Sequence, residues 1–320
     1  ERGTGLHRPI LRTRRIKGAG RRGTREARDG AGAATRGSPR AGSRAFFTPR
    51  AEPSRVPPLD LSIGLGTSGL DDPETCTDTV AAALDAGYRH VDTAQMYDNE
   101  AAVGEGIAES DVDRDDVVVA TKVHPENLAP EDVRETARAS LDRLGLDRVD
   151  LLYVHWPIRA YDPEATLPAF DDLRDAGVTD HVGVSNFTPD LLREAREILD
   201  APIAAHQVEC HPRFRQPELR ELADEFDHRL VGYSPLGRGE ILDDPEIAEI
   251  ADRNDCSPAV VALAWALDRG VVPIPKARGD HVRENLSAVD VDLPDDDLDA
   301  IDALDPGERQ IDPDDAAWNR

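Results

Sequence analysis

The 320 residues contain 35 arginines but only three lysines, Lys17, Lys122 and Lys276. A coding bias towards arginine would deplete lysine everywhere. The two lysines in the body are therefore the places to look for chemistry that a guanidinium cannot do, such as proton exchange or a compact point charge. Lys122 closes a short apolar run, and so do other polar groups: Asp92, His155, Ser185 with Asn186, Gln207 and Glu209, Tyr233, and Lys276. Such groups can move protons or stabilise developing charge if the fold gathers them. Two further patterns compete for attention. His206, Glu209 and His211 imitate a metal triad, but in a strand His206 would point away from the other two, so no metal is expected. Cys210 fits a small buried apolar residue better than a nucleophile. Gly64-Leu65-Gly66-Thr67-Ser68-Gly69 is a G-x-G-x-x-G string, with Asp85 about twenty residues on. A lone match of this kind is weak evidence for a dinucleotide fold.

The elements that would position these groups follow from the apolar pattern. Short β-branched runs occur at Ser62–Leu65, Arg89–Asp92, Val117–Lys122, Val149–His155, Val182–Ser185, Ala204–Glu209, Arg229–Tyr233 and Val271–Ile274. Between them lie helical stretches, including Pro73–Ala86, Pro130–Leu144, Pro163–Ala176, Pro189–Leu199 and Pro258–Leu267. Proline begins each of these, and Gly87, Gly145, Gly177 and Gly270 sit where helices should stop. Eight strands alternating with helices over about 260 residues predict an α/β fold, a single-domain (β/α)8 TIM barrel over 56–320. A doubly wound open sheet is the alternative. In a barrel the chemistry sits at the C-terminal strand ends, where the polar residues fall.

A family resemblance rests on an ordered set of segments. They are Gly87-Tyr88-Arg89-His90-Val91-Asp92-Thr93-Ala94, Tyr97, Asn99-Glu100 and Val103-Gly104, then Lys122 and His155-Trp156-Pro157. Gly183-Val184-Ser185-Asn186-Phe187, Gln207-Val208-Glu209 and Tyr233-Ser234-Pro235-Leu236 follow. Ile274-Pro275-Lys276 and Arg283-Glu284-Asn285 complete the set. Over about residues 58–315 the chain resembles the aldo-keto reductase superfamily. It looks most like the prokaryotic branch that includes 2,5-diketo-D-gluconate reductases.

The resemblance implies reduction of aldehydes or ketones by an NADPH-dependent oxidoreductase, with NADH as a possible substitute. It implies a tetrad of Asp92, Tyr97, Lys122 and His155. The chemistry is sound on its own terms. A tyrosine near pKa ~10 is a poor acid at neutral pH, and a neighbouring ammonium would lower that value. Asp92 would hold the lysine, and His155 would orient the carbonyl oxygen. By the same resemblance Gly66 and Thr67 lie beside the nicotinamide, Ser185, Asn186 and Gln207 hold its carboxamide, and Tyr233 stacks on its ring. Ser234, Leu236 and Gly237 line the pyrophosphate channel, Lys276 meets the 2′-phosphate, and Glu284 and Asn285 face the adenine. The stretch from Lys276 to His281 is about one residue shorter than the family pattern, with His281 near a usual arginine, so Arg278 or Arg283 is expected to compensate. Ser68 and His124 stand where the family often has aromatic residues, which suggests a roomier, more polar pocket for small dicarbonyls or keto-sugar acids. Trp156 and Trp318 are candidate walls.

Composition bounds the rest. Residues 1–55 carry 15 basic and 4 acidic side chains, and residues 56–320 carry 23 and 60. The basic Arg/Gly/Ala-rich tail is expected to be disordered, and a mis-called start explains the flip of charge sign best. An acidic body disfavours nucleic acid and anionic membranes as partners. Three cysteines, an odd number, point to a reducing compartment, hence the cytoplasm. A monomer acting on small carbonyl compounds is expected. Two other classes compete: a cofactor-binding regulatory subunit of the same fold, which would bind without turnover, and a metal hydrolase, which a chelator would stop. The acidic body resembles that of proteins adapted to high salt. Screening should relieve its self-repulsion, so the urea midpoint and the activity should both rise with KCl up to molar concentrations. Full stability and activity in dilute buffer would contradict this.

Overall fold

The computed structural model describes residue 59 and residues 61–319. The expected disordered tail, 1–55, lies outside the described residues. Eight strands follow in chain order: β1 (Leu65–Gly66), β2 (His90–Asp92), β3 (Val118–Val123), β4 (Val149–Val154), β5 (Thr179–Ser185), β6 (Ile203–Glu209), β7 (Arg229–Tyr233) and β8 (Val271–Pro273). Each pairs in parallel with its sequence neighbours, in the order one to eight. A doubly wound sheet reverses its order at a switch point, so that alternative is excluded. The sheet curls until its ends meet. Gly64 and Gly66 donate their N–H groups to the carbonyls of Pro273 and Pro275, at 2.9 and 3.1 Å. Those two prolines have no N–H to return, so this seam is bonded in one direction only. The arrangement is a curled eight-stranded parallel sheet with helices outside, consistent with a (β/α)8 fold.

Among the ten described helices seven open with proline, four of those behind a capping side chain. The ten are α1 (Pro73–Ala86), α2 (Glu100–Glu109), α3 (Pro130–Leu144), α4 (Pro163–Asp175), α5 (Pro189–Ile198), α6 (Pro217–Phe226), α7 (Pro245–Arg253), α8 (Pro258–Asp268), α9 (His281–Leu286) and α10 (Asp295–Asp302). Asp72, Thr188, Asp244 and Ser257 accept backbone N–H groups from the first turns of α1, α5, α7 and α8. Each cap satisfies donors that the helix cannot. Among the described residues no helix is long and apolar enough to cross a membrane.

Two strand starts differ from the sequence reading by three residues, and the other boundaries by one at most. β1 begins at Leu65 rather than Ser62, because its ladder to β2 starts at the Leu65–Val91 pair. β5 begins at Thr179, three residues before the apolar run. The polar Thr179 and His181 already pair with Val149 and Leu151 of β4.

Apolar side chains form an outer layer between sheet and helices and a separate inner cluster. The inner one contains Ala120, Leu151, Tyr153, Ala205, Val231 and Val272. Alternation along each strand then sends Lys122, His155 and Gln207 inward as well, one step nearer the C-terminal ends. Tyr153 fills the centre directly below them. A Cβ on Gly183 would lie 2.5 Å from two atoms of its ring, so glycine is required there. Gly183→Ala should cost about 1–3 kcal/mol by overpacking, read as a lower urea midpoint at fixed KCl. An unchanged midpoint would show that the Tyr153 ring is free to move.

Candidate active site

The charged centre is a fully buried pair. Lys122 Nζ lies 2.5 Å from Asp92 Oδ1, and both side chains are at most 2 % exposed. The ammonium also donates to the Thr93 carbonyl at 2.9 Å and to the Tyr97 hydroxyl at 3.5 Å. The other Asp92 oxygen accepts Gln207 Nε2 at 2.7 Å. Burial acts to lower the Lys122 pKa, but the Asp92 carboxylate and the Tyr97 oxygen outweigh it and hold the value above that of an ordinary lysine. Tyr97 shows the converse. Burial raises its pKa more than the Lys122 charge lowers it, so the phenol lies above its usual value. The ammonium thus opposes the burial effect without overcoming it, which corrects the net lowering expected from sequence. His155 is kept neutral by burial first, and then by the charge of Lys122 and by His124. Its ring meets that of Tyr97 edge-on at 5.8 Å.

The loops around this centre are stapled by residues of the same motif. Thr67 donates both its N–H and its hydroxyl to the Asp92 carbonyl at 3.0 Å, so it holds the backbone there and does not line the cavity. Asn99 accepts from the Thr93 hydroxyl and donates to the Thr67 and Leu70 carbonyls. Glu100 accepts from Thr121 at 2.6 Å and from Arg143. Gln95 accepts from the His124 N–H and from Asn127, which fixes the turn that carries Tyr97. On the other side Asn186 sits in the left-handed region, φ 62°. It donates to the His155 carbonyl and the Ser185 hydroxyl, and its Oδ1 accepts from Tyr233 at 2.9 Å. Both hydrogens of the Asn186 amide are therefore used internally. Ser185 donates to the Gln207 carbonyl.

These groups open onto a cavity of about 330 Å³. Of the residues singled out from sequence, it is lined by Gly66, Ser68, Asp92, Tyr97, His155, Trp156, Ser185, Asn186, Gln207, Tyr233, Ser234 and Lys276. A second cavity of about 720 Å³ is lined by Ser68, Leu236, Lys276, Arg278, Glu284 and Asn285, among others. The two share Ser68 and Lys276, so they lie side by side. Arg278 is held in the second by a 2.8 Å bond to the Gly69 carbonyl. Besides Thr67, three more expected residues lie elsewhere, and Trp318 lines neither cavity but packs on Trp156. Gly237 is buried and offers its carbonyl to Gln310, while Arg283 is exposed and lines neither cavity. His124 lines a separate recess with Gln95 and Glu126, because its Nδ1 accepts the Glu126 N–H as the chain turns at Pro125. Sequence reasoning missed Met96, Arg238 and Ile311, which line the inner cavity. Met96 adjoins Tyr97 and could have been found by position. Ile311 comes from the C-terminal segment, which has no period to read.

The metal-like cluster does not assemble. Glu209 and His211 bond to each other at 3.3 Å, and Glu209 also accepts two backbone N–H groups. His206 is fully buried away from them, its ring 6.1 Å from that of His228. Burial pushes the Cys210 thiol up to about 12, as befits an unreactive core residue.

The model of the aldo/keto reductase family matches residues 62–306. An aldo-keto reductase of Mycolicibacterium vanbaalenii is 40 % identical over 249 residues, covering 77 % of this chain and 89 % of that protein. The methylglyoxal reductase DkgB of Salmonella typhi is 38 % identical over 256 residues, covering 79 % and 96 %. Among solved structures, a putative 2,5-diketo-D-gluconic acid reductase B superposes with a TM-score of 0.77 at 34 % identity, covering 80 % of this chain and 92 % of that one. The buried lysine–carboxylate pair, the tyrosine beside it and the extent of these matches lead to one conclusion: the chain belongs to the aldo/keto reductase family of NAD(P)H-dependent oxidoreductases.

Proposed function

We propose that the chain reduces small aldehydes and ketones, dicarbonyls among them, with NADPH as donor and Tyr97 as the acid. The observation that carries this reading is the Asp92–Lys122–Tyr97 chain of contacts beside a cavity that adjoins a second one lined by Lys276 and Arg278. The donor set suits a dinucleotide. The amides of Asn186 and Gln207 and the Tyr233 ring line the inner cavity, Arg278 the outer one, and Lys276 both. Bound reduced nicotinamide supplies the hydride. Asn186 and Gln207 would hold its carboxamide, which requires Asn186 to exchange one of its internal bonds. Leu236 would pack along the dinucleotide, and Lys276 with Arg278 would hold the 2′-phosphate.

The protein's own residues then have defined tasks. His155, neutral, can donate an N–H to the carbonyl oxygen and orient it. Tyr97 gives that oxygen its proton as negative charge develops there. Lys122 stabilises the phenolate left behind, and Asp92 keeps the ammonium charged in a buried place. A positive charge on Lys122 thus matters most after the proton has left.

The substrate class is supported by the relative named a methylglyoxal reductase and by the modest inner cavity. We further propose that the protein works as a monomer in a reducing, salt-rich cytoplasm. The three cysteines are free. Large exposed apolar side chains among the described residues are Met96, Leu242 and Val289, two of which line these cavities.

NADPH oxidation with methylglyoxal in molar KCl tests the activity. Tyr97→Phe should lower kcat by about 10²–10⁴ while NADPH binding, followed by fluorescence, changes little. Turnover at the wild-type level would remove Tyr97 as the acid. Absence of turnover in the wild type, with NADPH bound, would favour the regulatory reading instead. Lys276→Ala should raise the KM for NADPH about tenfold, with a smaller change for NADH. Equal changes for both would place the phosphate contact elsewhere.

A further inference from the structure

Glu209 is fully buried at the C-terminal end of β6, and the chemistry proposed above gives it no task. Its carboxylate is nonetheless fully employed. Oε1 accepts the backbone N–H of Gln310 and Oε2 that of Ile311, both at 2.9 Å. His211 Nε2 lies 3.3 Å from Oε1. Burial acts to raise the pKa of this carboxyl, and the bonds from His211, Gln310 and Ile311 outweigh it, so the group stays ionised. Two oxygens gripping two consecutive N–H groups fix a segment in both position and direction.

The gripped segment matters because of where it lies. Ile311 lines the inner cavity together with Tyr97, Trp156 and Tyr233. The Gln310 side chain donates to the Gly237 carbonyl at 3.0 Å, which ties the same segment to the loop carrying Ser234 and Arg238 to the cavity. Gly307 donates to the Arg213 carbonyl at 2.7 Å, a second anchor just beyond β6. Beyond Ile311 the Trp318 ring meets Trp156 at 5.5 Å. The segment from 307 to 311 belongs to no helix or strand, so it has no ladder of its own to hold it.

We propose that Glu209 is a positioning residue: by gripping the N–H groups of Gln310 and Ile311 it fixes Ile311 in the cavity wall, and so makes the site select compact carbonyl compounds over aryl-substituted ones. This rests on the reductase reading of the site. Glu209 acts through Ile311 and touches no reacting atom. Glutamine in its place keeps one carbonyl acceptor but turns an NH2 towards the other N–H, so one bond is lost and two donors face each other.

The test compares methylglyoxal with 4-nitrobenzaldehyde under NADPH in molar KCl, using wild type, Glu209→Gln, Ile311→Ala and the double variant. In Glu209→Gln the ratio of kcat/KM for the aryl aldehyde over methylglyoxal should rise about fivefold or more, carried by KM rather than kcat. Ile311→Ala should give a rise of the same size, and the double variant no further rise, because both changes act on one wall. Hydrogen exchange followed by mass spectrometry should show faster exchange at Gln310 and Ile311 in Glu209→Gln. If that variant fails to fold, Ile311→Ala alone decides, and an unchanged ratio in it overturns the proposal. An unchanged ratio in Glu209→Gln, or additive effects in the double variant, overturns it too. A wild type that reduces neither aldehyde contradicts the reductase reading itself and takes this inference with it.

Discussion

Placing the Lys122 ammonium in the barrel interior would cost several kcal/mol if it stood alone. The Asp92 carboxylate at 2.5 Å, the Thr93 carbonyl and the Tyr97 hydroxyl offset that cost. Much of the surrounding structure serves to keep these partners in place. Thr67 pins the Asp92 backbone from the β1 side, and Gln207 reaches across from β6 to the second carboxylate oxygen. Asn99 and Glu100 staple the following loop to β1 and β3. Tyr153, itself requiring Gly183, packs underneath with its ring centre 5.9 Å from the ammonium. A pair held so firmly needs little reorganisation when a proton moves, which is what electrostatic catalysis demands.

The same constraint explains the balance at Tyr97. Burial makes the phenol a weaker acid, and the lysine reduces that effect without removing it. In the proposed reaction Tyr97 stays protonated until a carbonyl oxygen begins to carry negative charge. His155, held neutral by burial and by Lys122, adds a donor without adding a charge that would repel the lysine.

Much of this was legible from the sequence because a barrel converts order along the chain into place. Asp92, Lys122 and His155 end apolar runs, and parallel strands in consecutive order bring those ends to one mouth. Tyr97 was legible only through the motif around it, since it lies on a short turn of helix after β2. Other features depend on contacts that no periodicity encodes. Thr67 and Gly237 read as cofactor contacts, but the Thr67 hydroxyl is spent on the Asp92 carbonyl and the Gly237 carbonyl on the Gln310 side chain. His124 turns into another recess because Pro125 redirects the chain. The segment carrying Ile311 has no apolar period, and among its anchors is a buried carboxylate, Glu209, that the sequence shows only as part of a metal-like pattern. The acidic surface is plain from composition, yet its ion pairs, such as Arg134–Asp172 and Arg148–Asp180, are exposed and individually weak.

The most direct test of the central claim is a single-turnover experiment on Lys122→Met. Enzyme already loaded with NADPH is mixed with methylglyoxal in molar KCl, and the loss of NADPH absorbance is followed. If the buried ammonium exists to stabilise the phenolate of Tyr97, the rate should fall by about 10²–10⁴ while NADPH affinity changes only a few-fold. A rate within twofold of the wild type would contradict the account.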